Sequence, residues 1–277
     1  MINNSLKYPA IIYIAGYGRS GSTILDILIS KKDDSILGSG EMTYVVEDIL
    51  SDQDCTCGHK YAQCSTWSPI ANLNLTLEDC NFLRTMESRG GVVDLFHVPR
   101  FSKKDSDRYK GISLKIFEEL GQYQVIVDSS KTAHDAFWRP FLLSSVVGID
   151  VYVIHLKRDM LSVLKSVWKK SNWSEEGKSN NRNSVHRLAR SFVGWIMANY
   201  QAQRMKRLLG GGNYLYVDYS DFIDNPEKIF NSIGKLIGQD FSKHAIAIKK
   251  GKEFLMSDSH NVGGNRLRLS KVISLKR

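Results

Sequence analysis

With 277 residues, 42% of them apolar, 10% aromatic and only 5 prolines, the chain is long enough to bury roughly three quarters of its unfolded surface in a core. That composition excludes intrinsic disorder, collagen-like repeats and low-complexity architecture, and the length suits a single α/β domain over 1–277. The net charge of +9 is unevenly spread: residues 1–156 carry −4, residues 157–207 carry +9 and residues 208–277 carry +4. A local cationic field suits an anionic ligand such as phosphate, sulfate, acidic glycan, nucleic acid or membrane surface, and equally a solvated basic helix face.

Short apolar runs alternate with helical patterns, which predicts a parallel sheet covered by helices on both faces. In chain order, a strand at 10–15 leads through a glycine-rich turn into a helix at 22–30. A helix at 109–120 precedes strands at 124–127 and 151–156. Helices follow at 159–171 and 185–208, a strand at 214–217, and a helix at 226–237 opened by Asn225 and Pro226. The polar stretch 171–184 reads as a mobile loop. The apolar run at 10–15 is too short for a secretory signal, and no run of about 20 apolar residues could span a bilayer. The expectation is therefore a soluble, cytoplasmic protein.

Sites in open α/β sheets lie beyond the carboxyl ends of strands, which directs attention to the segments opening at Gly16, Asp128, Lys157 and Asp218. After the first strand come Gly16, Tyr17, Gly18, Arg19, Ser20, Gly21, Ser22 and Thr23, then the apolar helix face of Ile24, Leu25, Ile27 and Leu28. Glycines let successive amides turn toward an oxyanion, and the helix start adds its positive dipole end. Gly16 and Gly21 have the spacing of a Walker A loop, but Ser22 stands where that motif requires lysine. Arg19 can grip phosphate or sulfate oxygens in bidentate fashion. Further along, Arg158 closes the strand at 151–156, Asp159 caps the next helix, and Ser166 lies about two turns on, on the same side. His155 reads as a satisfied core residue, and Trp168 and Trp195, at helical spacing, as core.

The cysteines, Cys55, Cys57, Cys64 and Cys80, fall within 26 consecutive positions. Cys55, Cys57, His59 and Cys64 could ligate zinc, but their spacing fits no usual finger pattern, so ordinary reduced thiols and no metal are the expectation.

Together, Arg19 to Thr23 and the pair Arg158 and Ser166 resemble the sulfotransferases that use 3′-phosphoadenosine 5′-phosphosulfate (PAPS). The resemblance extends through VDSSK at 127–131, CTCG at 55–58, CSTW at 64–67, VDYSDFIDNPEKIF at 217–230 and HNVGGNRLR at 260–268. It is closest to bacterial members and to relatives of the protein-tyrosine enzymes. It implies a P-loop-like parallel β-sheet flanked by helices, a three-layer sandwich. It also implies that Gly18, Arg19, Ser20, Gly21, Ser22 and Thr23 hold the 5′-phosphosulfate and that Arg158 and Ser166 hold the 3′-phosphate. Gly264, Asn265 and Arg268 would close over the nucleotide.

The segment Leu37 to Glu41, 18 positions beyond Thr23, resembles the part of the tyrosine-modifying branch that carries its glutamate base, so Glu41 is the expected general base. The alternative for Glu41 is an ordinary helix-start carboxylate. Lys131 would neutralise charge at the bridging oxygen, with a solvated lysine as its alternative, and Arg19 would do so at the leaving phosphate. The expected reaction moves a sulfuryl group from PAPS to a hydroxyl, most plausibly on a carbohydrate, leaving 3′-phosphoadenosine 5′-phosphate (PAP), with no metal and no specific nucleic acid. The competing readings are a nucleotide-dependent kinase and a noncatalytic binder of polyanions or nucleic acid.

Overall fold

The computed structural model describes residues 8–88, 97–171, 181–256, 259–263 and 266–275. Five parallel strands form its centre: β1 (Ala10–Ala15), β2 (Ile36–Gly40), β3 (Val125–Asp128), β4 (Val151–Lys157) and β5 (Tyr214–Asp218), in the order β2-β3-β1-β4-β5. The described helices are α1 (Ser22–Ser30), α2 (Val45–Leu50), α3 (Ser68–Ala71), α4 (Leu77–Ser88), α5 (Lys103–Glu119), α6 (Arg139–Leu142), α7 (Met160–Ser171), α8 (Asn181–Leu208), α9 (Tyr219–Asp224), α10 (Pro226–Ile237) and α11 (Ser242–Lys249). A two-stranded antiparallel ribbon, β6 (Phe254–Leu255) with β7 (Val272–Ile273), lies near the C-terminus.

The layering follows from β1. Its residues are buried throughout, and successive side chains point to opposite faces. Ile11, Tyr13 and Ala15 join a core completed by α2 to α6 and the end of α8, with Trp67, Tyr109, Trp138 and Met205 among its members. Ala10, Ile12 and Ile14 join a second core with α1, α10 and α11, including Leu25, Phe230, Ile233 and Phe241. Each fully buried isoleucine or phenylalanine contributes roughly 1.5–3 kcal/mol relative to exposure, so a strand packed on both faces is strongly fixed. The expected three-layer α/β sandwich is therefore what the chain forms. No helix among the described residues is long and apolar enough to cross a membrane.

From β1 the chain passes through α1 to the sheet edge at β2, returns to β3, then crosses to β4 and β5 on the other side. The carboxyl end of β1 thus lies where the connections diverge, the position at which ligands enter such sheets.

Several boundaries differ from the sequence reading. β2 had no counterpart in it, because Gly38, Ser39 and Gly40 have low strand propensity. α5 begins at Lys103 rather than at 109: Ser102 caps it by accepting from the Asp105 amide, and the intervening turn is polar and lacks helical apolar periodicity. α8 begins at Asn181, so part of the expected loop 171–184 is helical, while 172–180 lies outside the described residues. Trp168 is 41% exposed rather than core.

Candidate active site at the strand ends

The turn after β1 is built around positions that only glycine tolerates. Gly16 has φ of 125°, and a Cβ there would meet the Leu156 carbonyl oxygen at 2.4 Å; its amide donates to Thr132 Oγ1 at 3.1 Å. Gly21, with φ of 90°, lies against the Tyr219 ring, which an added Cβ would approach to 2.6 Å. Between them Arg19 is also left-handed, with φ of 69°. Gly21 caps α1 without offering a side chain, and the first turn of α1 carries no acidic group. The amides of that turn are therefore not engaged by a side-chain cap and carry the positive end of the helix dipole. Ser20, Ser22 and Thr23 are all buried, and Ser20 Oγ has no partner among the described residues. A buried hydroxyl left unpaired costs about 1–3 kcal/mol, a cost that an anion seated in the turn would offset. Gly18 completes the turn, half-buried.

Arg158 follows β4 and reaches back to this turn, its Nη1 donating to the Arg19 carbonyl at 3.1 Å. Its guanidinium carbon lies 4.4 Å from the centre of the Tyr219 ring, and its Nε is buried without a partner among the described residues. Trp195 of α8 holds the arginine backbone by donating from Nε1 to the Arg158 carbonyl at 3.0 Å, while Lys157 lies over the Trp195 ring. Trp195 is thus half-buried at the strand end and has a polar anchor, which corrects its reading as plain core. Asp159 caps α7 as expected, accepting from the Ser162 amide at 2.8 Å, and Ser166 lies half-buried on that helix.

On the other side of β1, Glu41 follows β2 and Lys131 follows β3. The two strand ends are tied by a Ser129 amide donating to the Gly40 carbonyl at 2.7 Å. Lys131 Nζ pairs with Glu41 Oε1, and the two side chains keep 11% and 18% of their surface exposed. Lys131 has φ of 68°, and its carbonyl accepts from the buried Tyr13 hydroxyl. Below them Arg139 donates to Asp128 Oδ2 at 2.7 Å and pairs with Glu87, which also accepts from Tyr109 and Thr43. Burial opposes the Arg139 charge, but Glu87 and Asp128 outweigh it and hold the guanidinium protonated. Asp128 Oδ1 in turn accepts from the Ser130 amide at 2.9 Å, so this ionic cluster fixes the backbone that presents Lys131.

Asp26 was absent from the sequence-based site. It lies fully buried on α1, accepts from the Gly40 amide at 3.0 Å and faces the Asn261 amide group at 3.4 Å. Burial pushes its pKa up to about 8, against hydrogen bonds from Ser129 and Gly40 that favour the anion. The opposite outcome holds for His155. It is satisfied in the core, between the Tyr214 hydroxyl at 2.7 Å and Asn199 Oδ1 at 2.9 Å, and burial lowers its pKa.

The C-terminal segment reaches the same sheet edge. Val262 bridges Gly40, its amide donating to the Ser39 carbonyl at 2.8 Å, and its carbonyl accepts from the Glu41 amide at 2.7 Å. Arg268 Nη1 donates to the Asn261 carbonyl at 3.1 Å. Gly264 and Asn265 lie outside the described residues. The zinc set considered from sequence changes membership: Cys55, Cys57 and Cys64 gather with His260, whereas His59 is exposed and within 3.7 Å of Cys57 alone in that group. His260 was not found earlier because it lies 196 residues from Cys64.

The structure thus lines up the turn after β1, Arg158, Lys131 and Glu41 along the carboxyl edge of four adjacent strands. Solved structures of similar fold include a sulfotransferase, STF1, from Mycobacterium tuberculosis, at 14% identity over 86% of this chain and 70% of that one, with a TM-score of 0.51. A sulfotransferase domain from the olefin synthase of Synechococcus PCC 7002 aligns at 17% identity over 98% of this chain and 82% of that one, with a TM-score of 0.49. No curated protein gives a significant match. The profile of the sulfotransferase family matches residues 9–243, and the chain, an enzyme, belongs to that family.

Proposed function

We propose that the protein, acting as a single domain over 1–277, transfers a sulfuryl group from PAPS to an acceptor hydroxyl and releases PAP. The observation that carries this reading is the pair of buried polar atoms, Ser20 Oγ and Arg158 Nε, that have no partner among the described residues, beside a helix start without a side-chain cap. In this reading Gly18 to Thr23 hold the 5′-phosphosulfate, and Arg158 with Ser166 holds the 3′-phosphate. Gly264, Asn265 and Arg268 belong to the loop that closes on the nucleotide. The donor supplies an activated sulfuryl group at its 5′ end.

The protein's own residues then have distinct tasks. Glu41 takes the proton of the acceptor hydroxyl as that oxygen bonds to sulfur, and the bond to the bridging oxygen breaks with its electron pair leaving on the phosphate. Lys131 occupies Glu41 Oε1, which leaves Oε2 to face the acceptor. Lys131 and Arg19 meet the charge growing on the bridging oxygen and leaving phosphate; preorganised donors of this kind contribute about 3–4 kcal/mol each to lowering a barrier. A carbohydrate acceptor is part of the proposal, supported by exposed rings, Trp168 and Tyr200, on the two helices of the basic stretch. A cytoplasmic setting is as well, since four cysteines outside any disulfide suit a reducing compartment.

The test is transfer of radiolabelled sulfate from PAPS to a panel of hydroxyl acceptors. Glu41→Gln should reduce turnover about 100-fold or more, the usual share of a general base, while PAP binding stays near the parent value. Unchanged turnover would remove Glu41 from the base role. Mg²⁺-ATP should leave the melting temperature nearly unchanged where PAP raises it; the reverse would support a kinase.

A further inference from the structure

Three sulfurs and one imidazole nitrogen converge where the C-terminal segment meets the loop after α2. Cys55 Sγ and Cys57 Sγ each lie 3.7 Å from Cys64 Sγ, and His260 Nδ1 lies 3.1 Å from Cys64 Sγ and 3.8 Å from Cys55 Sγ. All four atoms fall within 4.8 Å of one another. A tetrahedral zinc with Zn–S of about 2.3 Å and Zn–N of about 2.0–2.1 Å places its sulfurs about 3.8 Å apart and sulfur and nitrogen about 3.5 Å apart. A disulfide would instead require about 2.05 Å, and three mutually adjacent sulfurs cannot all pair.

We propose that Cys55, Cys57, Cys64 and His260 form a structural zinc site that fastens the C-terminal segment to the edge of the sheet beside Glu41. Four protein ligands close the tetrahedron and leave no position for a substrate or water, the arrangement of a structural site rather than a catalytic one. Three thiolates and an imidazole favour zinc over the hard cations magnesium and calcium.

The surroundings are built to hold these ligands. The Cys55 amide donates to the His59 carbonyl at 2.8 Å and the Gly58 amide to the Cys55 carbonyl at 2.9 Å, with Gly58 at φ of 89°, so the chain doubles back and brings Cys57 beside Cys55. Cys64 lies just before α3, its carbonyl accepting from the Ser68 amide at 2.8 Å. His260 is fixed through its backbone on both sides. Thr56 Oγ1 donates to the Ser259 carbonyl at 2.6 Å and accepts from the Asn261 amide at 3.0 Å, and Trp67 Nε1 donates to the His260 carbonyl at 2.9 Å. Such outer contacts orient metal ligands and tune their affinity. Two residues beyond His260, Val262 accepts the Glu41 amide. The metal therefore anchors the strip of backbone on which the Glu41 main chain rests.

The test measures metal and stability and does not depend on the sulfotransfer reading. Protein expressed with added zinc and then dialysed should carry about one zinc per chain, with an X-ray absorption shell of three sulfurs and one nitrogen. A strong chelator should lower the melting temperature, and added zinc should restore it. His260→Ala and Cys64→Ser should lose most of the metal, whereas His59→Ala should keep it. Should Cys64→Ser fail to fold, His260→Cys gives a second arm: it should retain zinc with an all-sulfur shell. Less than about a tenth of a zinc per chain in the parent, with no effect of zinc on melting, would overturn the site. Loss of zinc from His59→Ala but not from His260→Ala would overturn the assignment of ligands.

Discussion

Asp26→Asn tests whether the buried carboxyl beneath the β2 end behaves as its surroundings require. Unfolded, the group titrates near 3.8; folded, burial raises it to about 8. The folded state therefore binds the proton more tightly than the unfolded state. The group's contribution to stability is fully present below about pH 4, declines as the unfolded chain ionises, and is lost by about pH 8. Within that window linkage gives a fall of about 1.4 kcal/mol per pH unit, on the order of 5 kcal/mol in all. Asparagine cannot ionise, yet its Oδ1 can still accept from the Gly40 amide that Asp26 engages at 3.0 Å. Urea unfolding of parent and variant between pH 5 and pH 8 isolates the effect, because all other titrating groups are shared and cancel in the difference. The variant should gain about 3.6 kcal/mol relative to the parent across that range. A difference that stays constant with pH would show that Asp26 is ionised in the folded protein and refute the reasoning.

Ser20→Ala should raise the stability of the free protein by about 1–3 kcal/mol, since Ser20 Oγ has no partner among the described residues, yet weaken PAP binding about fivefold, the worth of one hydrogen bond; calorimetry and thermal melting measure the two effects. Arg158→Ala removes a charge-assisted contact and should weaken PAP about 10- to 100-fold in the same titration. Arg139→Met strands Asp128 and Glu87, which are 0% and 1% exposed, and should cost about 3–5 kcal/mol in denaturant unfolding.

Much of the fold was legible where local signals agreed. β1, its glycine turn and α1 announce themselves by an apolar run, glycines and a helix face in immediate succession, and Asn225 with Pro226 marks the start of α10. Arg158 at a strand end was legible for the same reason. β2 was not, because its burial depends on partners. Gly38 is needed where a Cβ would come within 2.7 Å of Asp26 and Ser30, an approach that no local propensity encodes. Asp26 is a polar residue within an apolar helix, and its role rests on Gly40 and Asn261, which reach it from other segments. Arg139, Glu87 and Asp128 come together from three separate elements, and His260 reaches the cysteines from the far end of the chain. In each case the missing information was a long-range contact between residues whose types were ordinary in their own neighbourhoods.

The most direct test of the central claim is a crystal structure of the protein grown with PAP. The account predicts the 5′-phosphate against the amides of Gly18 to Thr23 and the hydroxyl of Ser20, with the 3′-phosphate at Arg158. Density for the nucleotide at any other place on the protein, or phosphates that leave Ser20 Oγ and Arg158 Nε untouched, would contradict it.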